Sequence, residues 1–173
     1  MGKVYRFGNW AFTRDSGEAL LTADSLFHTN LTAKVFRDGE EIDIFDLGSG
    51  LVTTAGVNLM AQDWNASANN QVLKLANYHD SGTGTNAAAI GDTALQTPTG
   101  GSRVTGTQSN QASGQYRTVA TISYGSSFAI TEWGLFTASS GTTLWDRRVF
   151  SAINVDTSTS IQFTYTLTIN AGG

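Results

Sequence analysis

An all-β fold is what this sequence predicts: an antiparallel sandwich, jelly-roll-like or immunoglobulin-like, with one short helix and an extended N-terminal arm. Three observations lead there. First, the segment SIQFTYTLTIN alternates strictly, with Ile161, Phe163, Tyr165, Leu167 and Ile169 on one face and Ser160, Gln162, Thr164, Thr166 and Thr168 on the other. Strict alternation means one face in the core and one facing out. Second, similar segments (YRTVATISY, FAITEWGLF and TTLWDRRVF) precede it, divided by turn residues such as Ser139-Ser140-Gly141, the spacing of a sandwich or barrel. Third, a helical period occurs in one window only.

Taken in order, residues 1–30 hold no sustained period, and Tyr5, Phe7, Trp10, Phe12 and Phe27 fall irregularly among Gly and Asn. Such a stretch cannot bury its own aromatics well. It is read as an arm lying on a neighbouring chain, with Tyr5, Phe7, Trp10 and Phe12 as its contact residues, and residues 31–173 as the sandwich domain. LTAKVFR and EEIDIFD flank Asp38-Gly39, a pair that supplies the positive φ of a two-residue hairpin turn. Thr53 or Thr54 can cap a helix to about Trp64, because Val57, Met60, Ala61 and Trp64 fall on one stripe. VLKLANY predicts a strand, Ser81 to Ala89 a loop, and Thr97 to Gln115 a polar region with at most one short strand. The strand ending at Asn170 should be central or well covered, with Phe163, Tyr165 and Leu167 inside.

Composition narrows the function. Charged residues make up 14% of the chain, against about 25% in ordinary soluble domains. Neutral Thr, Ser, Asn and Gly replace them, and these suit pleated surfaces and packed protein contacts. The net charge is −4 and no basic patch is visible, which argues against a nucleic-acid partner. There is no cysteine, so disulfides, thiolate metal sites and Cys nucleophiles are excluded. The start, MGKVYRFGNWAF, has no apolar signal region, and no run approaches the ~18 apolar residues of a membrane-spanning helix. A soluble protein made in the cytoplasm is expected.

Catalytic parts are scarce. His28 and His79 stand in unrelated contexts without a metal-binding spacing. His79-Asp80-Ser81 invites comparison with a hydrolytic triad, but the nucleophile-elbow motif is missing. Glu132 and Asp146 each adjoin a tryptophan, Trp133 and Trp145, as in a site where a sugar stacks between carboxylates. Arg147 and Arg148 follow Asp146 directly, so a structural ion pair joining Glu132 or Asp146 to one of them across adjacent strands is the plainer reading. Gly82-Thr83-Gly84-Thr85 lacks the Lys and Ser/Thr of a phosphate loop and reads as a tight or flexible turn. No catalytic residue, metal site or cofactor is expected, and the chain is not read as an enzyme.

The run YHDSGTGTNAAAIGDTAL, then RVTGTQSN, YRTVATISY, AITEWGLF, TLWDRRVF and SIQFTYTLTINAGG resembles a recurrent family of tailed-bacteriophage structural proteins. The resemblance covers about residues 72–173. It implies a virion component, assembled in the host cytoplasm, more strongly than it implies a place on the particle. A capsid decoration (cement) protein binding across major capsid protein subunits is the favoured expectation. A tail-fibre, baseplate or neck component is the alternative, and a carbohydrate- or receptor-binding module the third. A homo-oligomer, most simply a trimer, suits both leading readings.

Overall fold

In a computed structural model, the backbone is described for residues 4–7, 10–15, 18–22, 27–65, 76–109, 112–141 and 144–169, and side chains over 28–61, 76–109, 112–141 and 144–169. The fold is all-β with a single short helix, and its two main sheets are antiparallel and five-stranded.

The first sheet runs β5-β4-β13-β10-β9, where β4 is Phe27–Arg37, β5 Glu40–Gly48, β9 Thr107–Ser109, β10 Gln115–Ser123 and β13 Thr159–Ile169. β13 is its central strand, paired along its length with β4 and β10. Its alternation is real: Ile161, Phe163, Tyr165 and Leu167 are buried, and the Thr and Gln between them face out. Ile169 departs from that pattern, being 47% exposed at the strand end.

The second sheet runs β6-β12-β11-β7-β8, where β6 is Leu51–Val52, β7 Tyr78–Gly82, β8 Val104–Thr105, β11 Phe128–Phe136 and β12 Leu144–Val155. One core lies between the sheets, built from Leu31, Val35, Ile122, Ile130, Leu135, Ile153, Ile161 and Phe163 among others. At its centre the Trp133 ring stacks on Tyr165 at 5.5 Å and tilts against Phe163 at 6.2 Å. Such pairs add to the ordinary gain from burying large rings.

The hairpin β4–β5 turns at Asp38 (φ 51°) and Gly39 (φ 86°), the left-handed pair a type I′ turn needs. In β5 the isoleucines are not core: Ile42 and Ile44 are 52% and 56% exposed, while Leu47 is buried. The helix α1, Thr54–Asn65, begins where expected, with the Thr53 hydroxyl accepting from the Gly56 amide at 3.0 Å. Its buried side is rotated from the expected stripe. Val57 and Ala61 are exposed, and Gly56 and Met60 face inward. Gly56 is the cause, because a Cβ there would lie 2.7 Å from the Trp145 carbonyl oxygen. The helix can rest on β12 only at a residue with no side chain.

Within 1–30, the stretch read as an arm, the described backbone forms three short strands, β1 (Val4–Phe7), β2 (Trp10–Asp15) and β3 (Glu18–Thr22). They pair with one another as an antiparallel sheet, and Phe27 to Asn30 already belong to β4. The side chains of Tyr5, Phe7, Trp10 and Phe12 lie outside the described residues, as does most of the expected strand VLKLANY. The strand found there, β7, begins only at Tyr78, and it runs through His79 to Gly82, into what was read as loop.

Candidate functional site

The outer face of the second sheet is roofed by the long connection between β7 and β8. Two irregularities place charged residues beneath and beside it. Pairing between β11 and β12 shifts between Ile130 and Glu132, and again between Leu135 and Phe136. Trp133 and Leu135 therefore join the core with Ile130, while Glu132 faces the roof, and Phe136 joins a small outer cluster with Leu95 and Leu144. Bulges re-aim side chains in this way, and alternation alone does not reveal them.

Glu132 is fully buried, yet both its oxygens are saturated. Its Oε1 accepts from the amides of Gly84 (3.1 Å) and Thr97 (2.7 Å). Its Oε2 accepts from the Gln96 amide (3.0 Å) and from Arg147 Nε (3.0 Å) and Nη2 (2.8 Å). Arg147 is 3% exposed; its Nη1 donates to Asp92 Oδ2 at 2.8 Å, and Nη2 also reaches the Asn86 carbonyl. Asp92 Oδ2 in turn accepts from the Ala89 amide at 2.9 Å. A buried charge is tolerable only when paired and fully hydrogen-bonded, and this cluster meets that condition through the loop's own backbone.

The glycines of Gly82-Thr83-Gly84-Thr85 belong to the same arrangement. A Cβ at Gly82 or Gly84 would sit 2.5 Å from Glu132 Oε1, so this stretch is the wall of a carboxylate pocket and not a slack turn. Beyond it, the Ile90 carbonyl accepts from the Thr54 amide at 2.8 Å, capping α1 from outside. The result is a loop fastened at Gly84, Asn86, Ala89, Ile90, Gln96 and Thr97 whose tip points outward, with Ile90 64% exposed. Beside it lies an open cleft of about 540 Å³ lined by Thr85, Ala87, Ala88, Leu51, Arg148 and Val149, with Ser49, Gly50 and Arg147.

The remaining charged candidates go elsewhere. Because Trp145 is the extra residue of the second irregularity, Trp145 and Asp146 both turn inward. Tyr165 Oη accepts from Trp145 Nε1 (3.0 Å) and donates to Asp146 Oδ2 (3.1 Å). Burial pushes the Asp146 carboxyl up to about 7, against the opposing pull of the Tyr165 hydroxyl, the Leu51 amide and Arg148. Gly50 packs directly on this carboxyl, where any Cβ would overlap it. Arg148 donates from Nε to the Leu47 carbonyl at 2.6 Å, a bond from the second sheet to the first. Thus Glu132 meets Arg147, while Asp146 and Arg148 tie the two sheets together.

His79 is a third tie. Its Nδ1 accepts from Trp133 Nε1 at 3.2 Å, so Nε2 carries the proton and donates to Thr118 Oγ1 at 3.1 Å. Burial lowers its pKa to about 3, which keeps the ring neutral. Ser81 Oγ lies against Tyr124 Oη at 3.1 Å, and Asp80 accepts from the Ser81 amide. Both His79 nitrogens are thus occupied, and neither His79 nor Ser81 is exposed to a substrate. Trp133 and Trp145 are 0% and 2% exposed, so neither ring offers a surface on which a sugar could stack. Among the described residues no cluster of three metal-ligating side chains occurs. No helix among them is long and apolar enough to cross a membrane.

The loop network was missed by sequence reasoning in its reach, since Asp92, Asn86 and the three loop amides carry no motif of their own. The Gly-x-Gly spacing was the one available signal. No protein-family model matches this sequence, and neither a curated protein nor a solved structure is significantly similar to it.

Proposed function

We propose that this chain is a non-enzymatic structural component of a tailed-phage virion, and specifically a capsid decoration protein that stabilises the head by binding across major capsid protein subunits. One observation carries the reading. The buried Glu132–Arg147 pair, with half-buried Asp92 beside it, holds a loop whose outward tip, Ala87 to Ile90, is apolar and largely exposed. Buried ion pairs add little net stability, so their use here is better explained by what they position. A loop ordered in advance loses less entropy on docking, which strengthens binding without new contacts. The outer face of the first sheet, where Thr32, Thr164, Thr166 and Thr168 form a polar row beside Lys34 and Arg117, adds a second surface suited to polar packing. The resemblance of residues 72–173 to phage structural proteins supplies the particle. Partners on this reading are other copies of the chain, as a trimer, and the major capsid protein, with neither nucleic acid nor membrane involved.

The test is co-sedimentation of purified protein with heads lacking it and, separately, with isolated tails. Saturable binding to heads, weakened by Ile90→Asp, is expected. Binding to tails alone would transfer the chain to the fibre, baseplate or neck alternative, and binding to neither would overturn the virion reading. The glycan-binding alternative rested on Trp133 and Trp145, and their burial leaves it without its motive.

A further inference from the structure

We infer that the open edge of β5 in one copy receives strand β1 of a second copy, joining the five-stranded sheet of one subunit to the three-stranded sheet of the next. The inference deepens the proposed self-assembly and rests on it. β5 is the last strand of its sheet and, among the described residues, pairs only with β4. An edge presents unpaired amides and carbonyls to any strand that fits. Ile42 and Ile44, more than half exposed, stand on this edge strand, where water is a poor neighbour for both.

Charge selects the occupant. Residues 38–46 hold five acids (Asp38, Glu40, Glu41, Asp43 and Asp46) and no base, and all five are exposed. Lys34–Glu41 at 2.8 Å is the one ion pair of this hairpin among the described residues. Two β5 edges would set like charges opposite each other, which opposes their pairing. A fitting strand is basic, with apolar residues to meet the isoleucines. Residues 1–14 are such a segment and hold the most bases of any acid-free stretch: Lys3, Arg6 and Arg14, alongside Val4, Tyr5, Phe7, Trp10 and Phe12. Within it, β1 is the outer strand of the small sheet, and the opposite edge, β3, carries Glu18 and no base. Among the described residues β1 is therefore both open and of the right charge. The contact is head-to-tail, and such contacts close into rings when the rotation allows, which accords with the proposed trimer.

The absence of cysteine makes the test clean. Ile42→Cys and Phe7→Cys variants are prepared separately, mixed and oxidised, and the products are separated on a non-reducing gel. A disulfide-linked pair containing one of each variant is expected. In parallel, Glu41→Lys/Asp43→Lys and Lys3→Glu/Arg6→Glu variants are weighed by sedimentation, with circular dichroism to confirm folding. Each alone should associate at least about tenfold more weakly, and mixing the two should restore association. A full-length chain that is monomeric at all concentrations overturns both the docking and the self-assembly. An oligomer indifferent to charge reversal and without the cross-link overturns the docking alone. A double-cysteine chain that closes on itself as a monomer overturns the second copy as occupant. Cross-linked oligomers that fail to bind heads would leave this inference standing and remove the decoration reading.

Discussion

Two regions of this protein are equally dry but are held by different means. Between the sheets, Phe163, Ile161, Leu31 and Trp133 exclude water by apolar packing. Under the loop on the outer face of the second sheet, Glu132 and Arg147 are as inaccessible as those residues, and hydrogen bonds to backbone amides replace packing. The contrast teaches what each solution is for. Apolar contacts are non-directional and stabilise the whole fold. Charged hydrogen bonds are directional, so Glu132 fixes the path of a loop that has almost no core of its own.

Substitutions in the two regions should have different costs. Phe163→Ala should have the largest effect, about 3–5 kcal/mol lost in a denaturant melt, because it empties the centre of the sandwich; a loss under about 1 kcal/mol would show that this centre is not tightly packed. Glu132→Gln should cost less, about 3 kcal/mol, since an uncompensated Arg147 remains partly served by Asp92. Its effect should be concentrated in the loop, seen as rapid proteolysis between 84 and 97 while the sandwich stays folded. Uniform loss of structure in both variants would erase the distinction between the two regions.

A smaller effect is expected from pH, through the buried titratable groups between the sheets. Asp146 has a folded pKa near 7, above the ordinary value near 3.9, so the native state holds its proton more tightly. Its contribution is present at low pH and is lost as pH rises from about 4 to 7. His79 has a folded pKa near 3, below the ordinary value near 6.5, so its contribution is present above pH 6.5 and is lost as pH falls below it. The two slopes oppose between about pH 4 and 6.5 and so offset each other in part. Asp146→Asn should reveal stability that rises with pH across this window, and His79→Gln stability that falls. Parallel profiles in both variants would show that neither group is buried as described.

Much of the sandwich was legible because its signals are local. The alternation of β13, the Asp38-Gly39 turn and the Thr53 cap each follow from a few neighbouring residues. The candidate site was legible in part. A link between Glu132 and the Arg147–Arg148 pair could be read from position on adjacent strands, but the choice of Arg147, and the inward turn of Asp146, depend on two irregularities of β11 and β12 that alternation conceals. The exposure of Val57 depends on Gly56 meeting β12, a contact between elements distant in sequence. Non-local contacts decide such cases, and a period within one strand or helix carries no trace of them.

The base of the exposed loop, at Gly84, Gln96 and Thr97, hangs on one buried carboxylate. Hydrogen exchange at the Gly84, Gln96 and Thr97 amides tests it most directly, since all three donate to Glu132. Protection comparable to that of β11 is expected in the native chain, with collapse to the rate of open loops in Glu132→Gln while β13 stays protected. Fast exchange of these three amides in the native chain would contradict it.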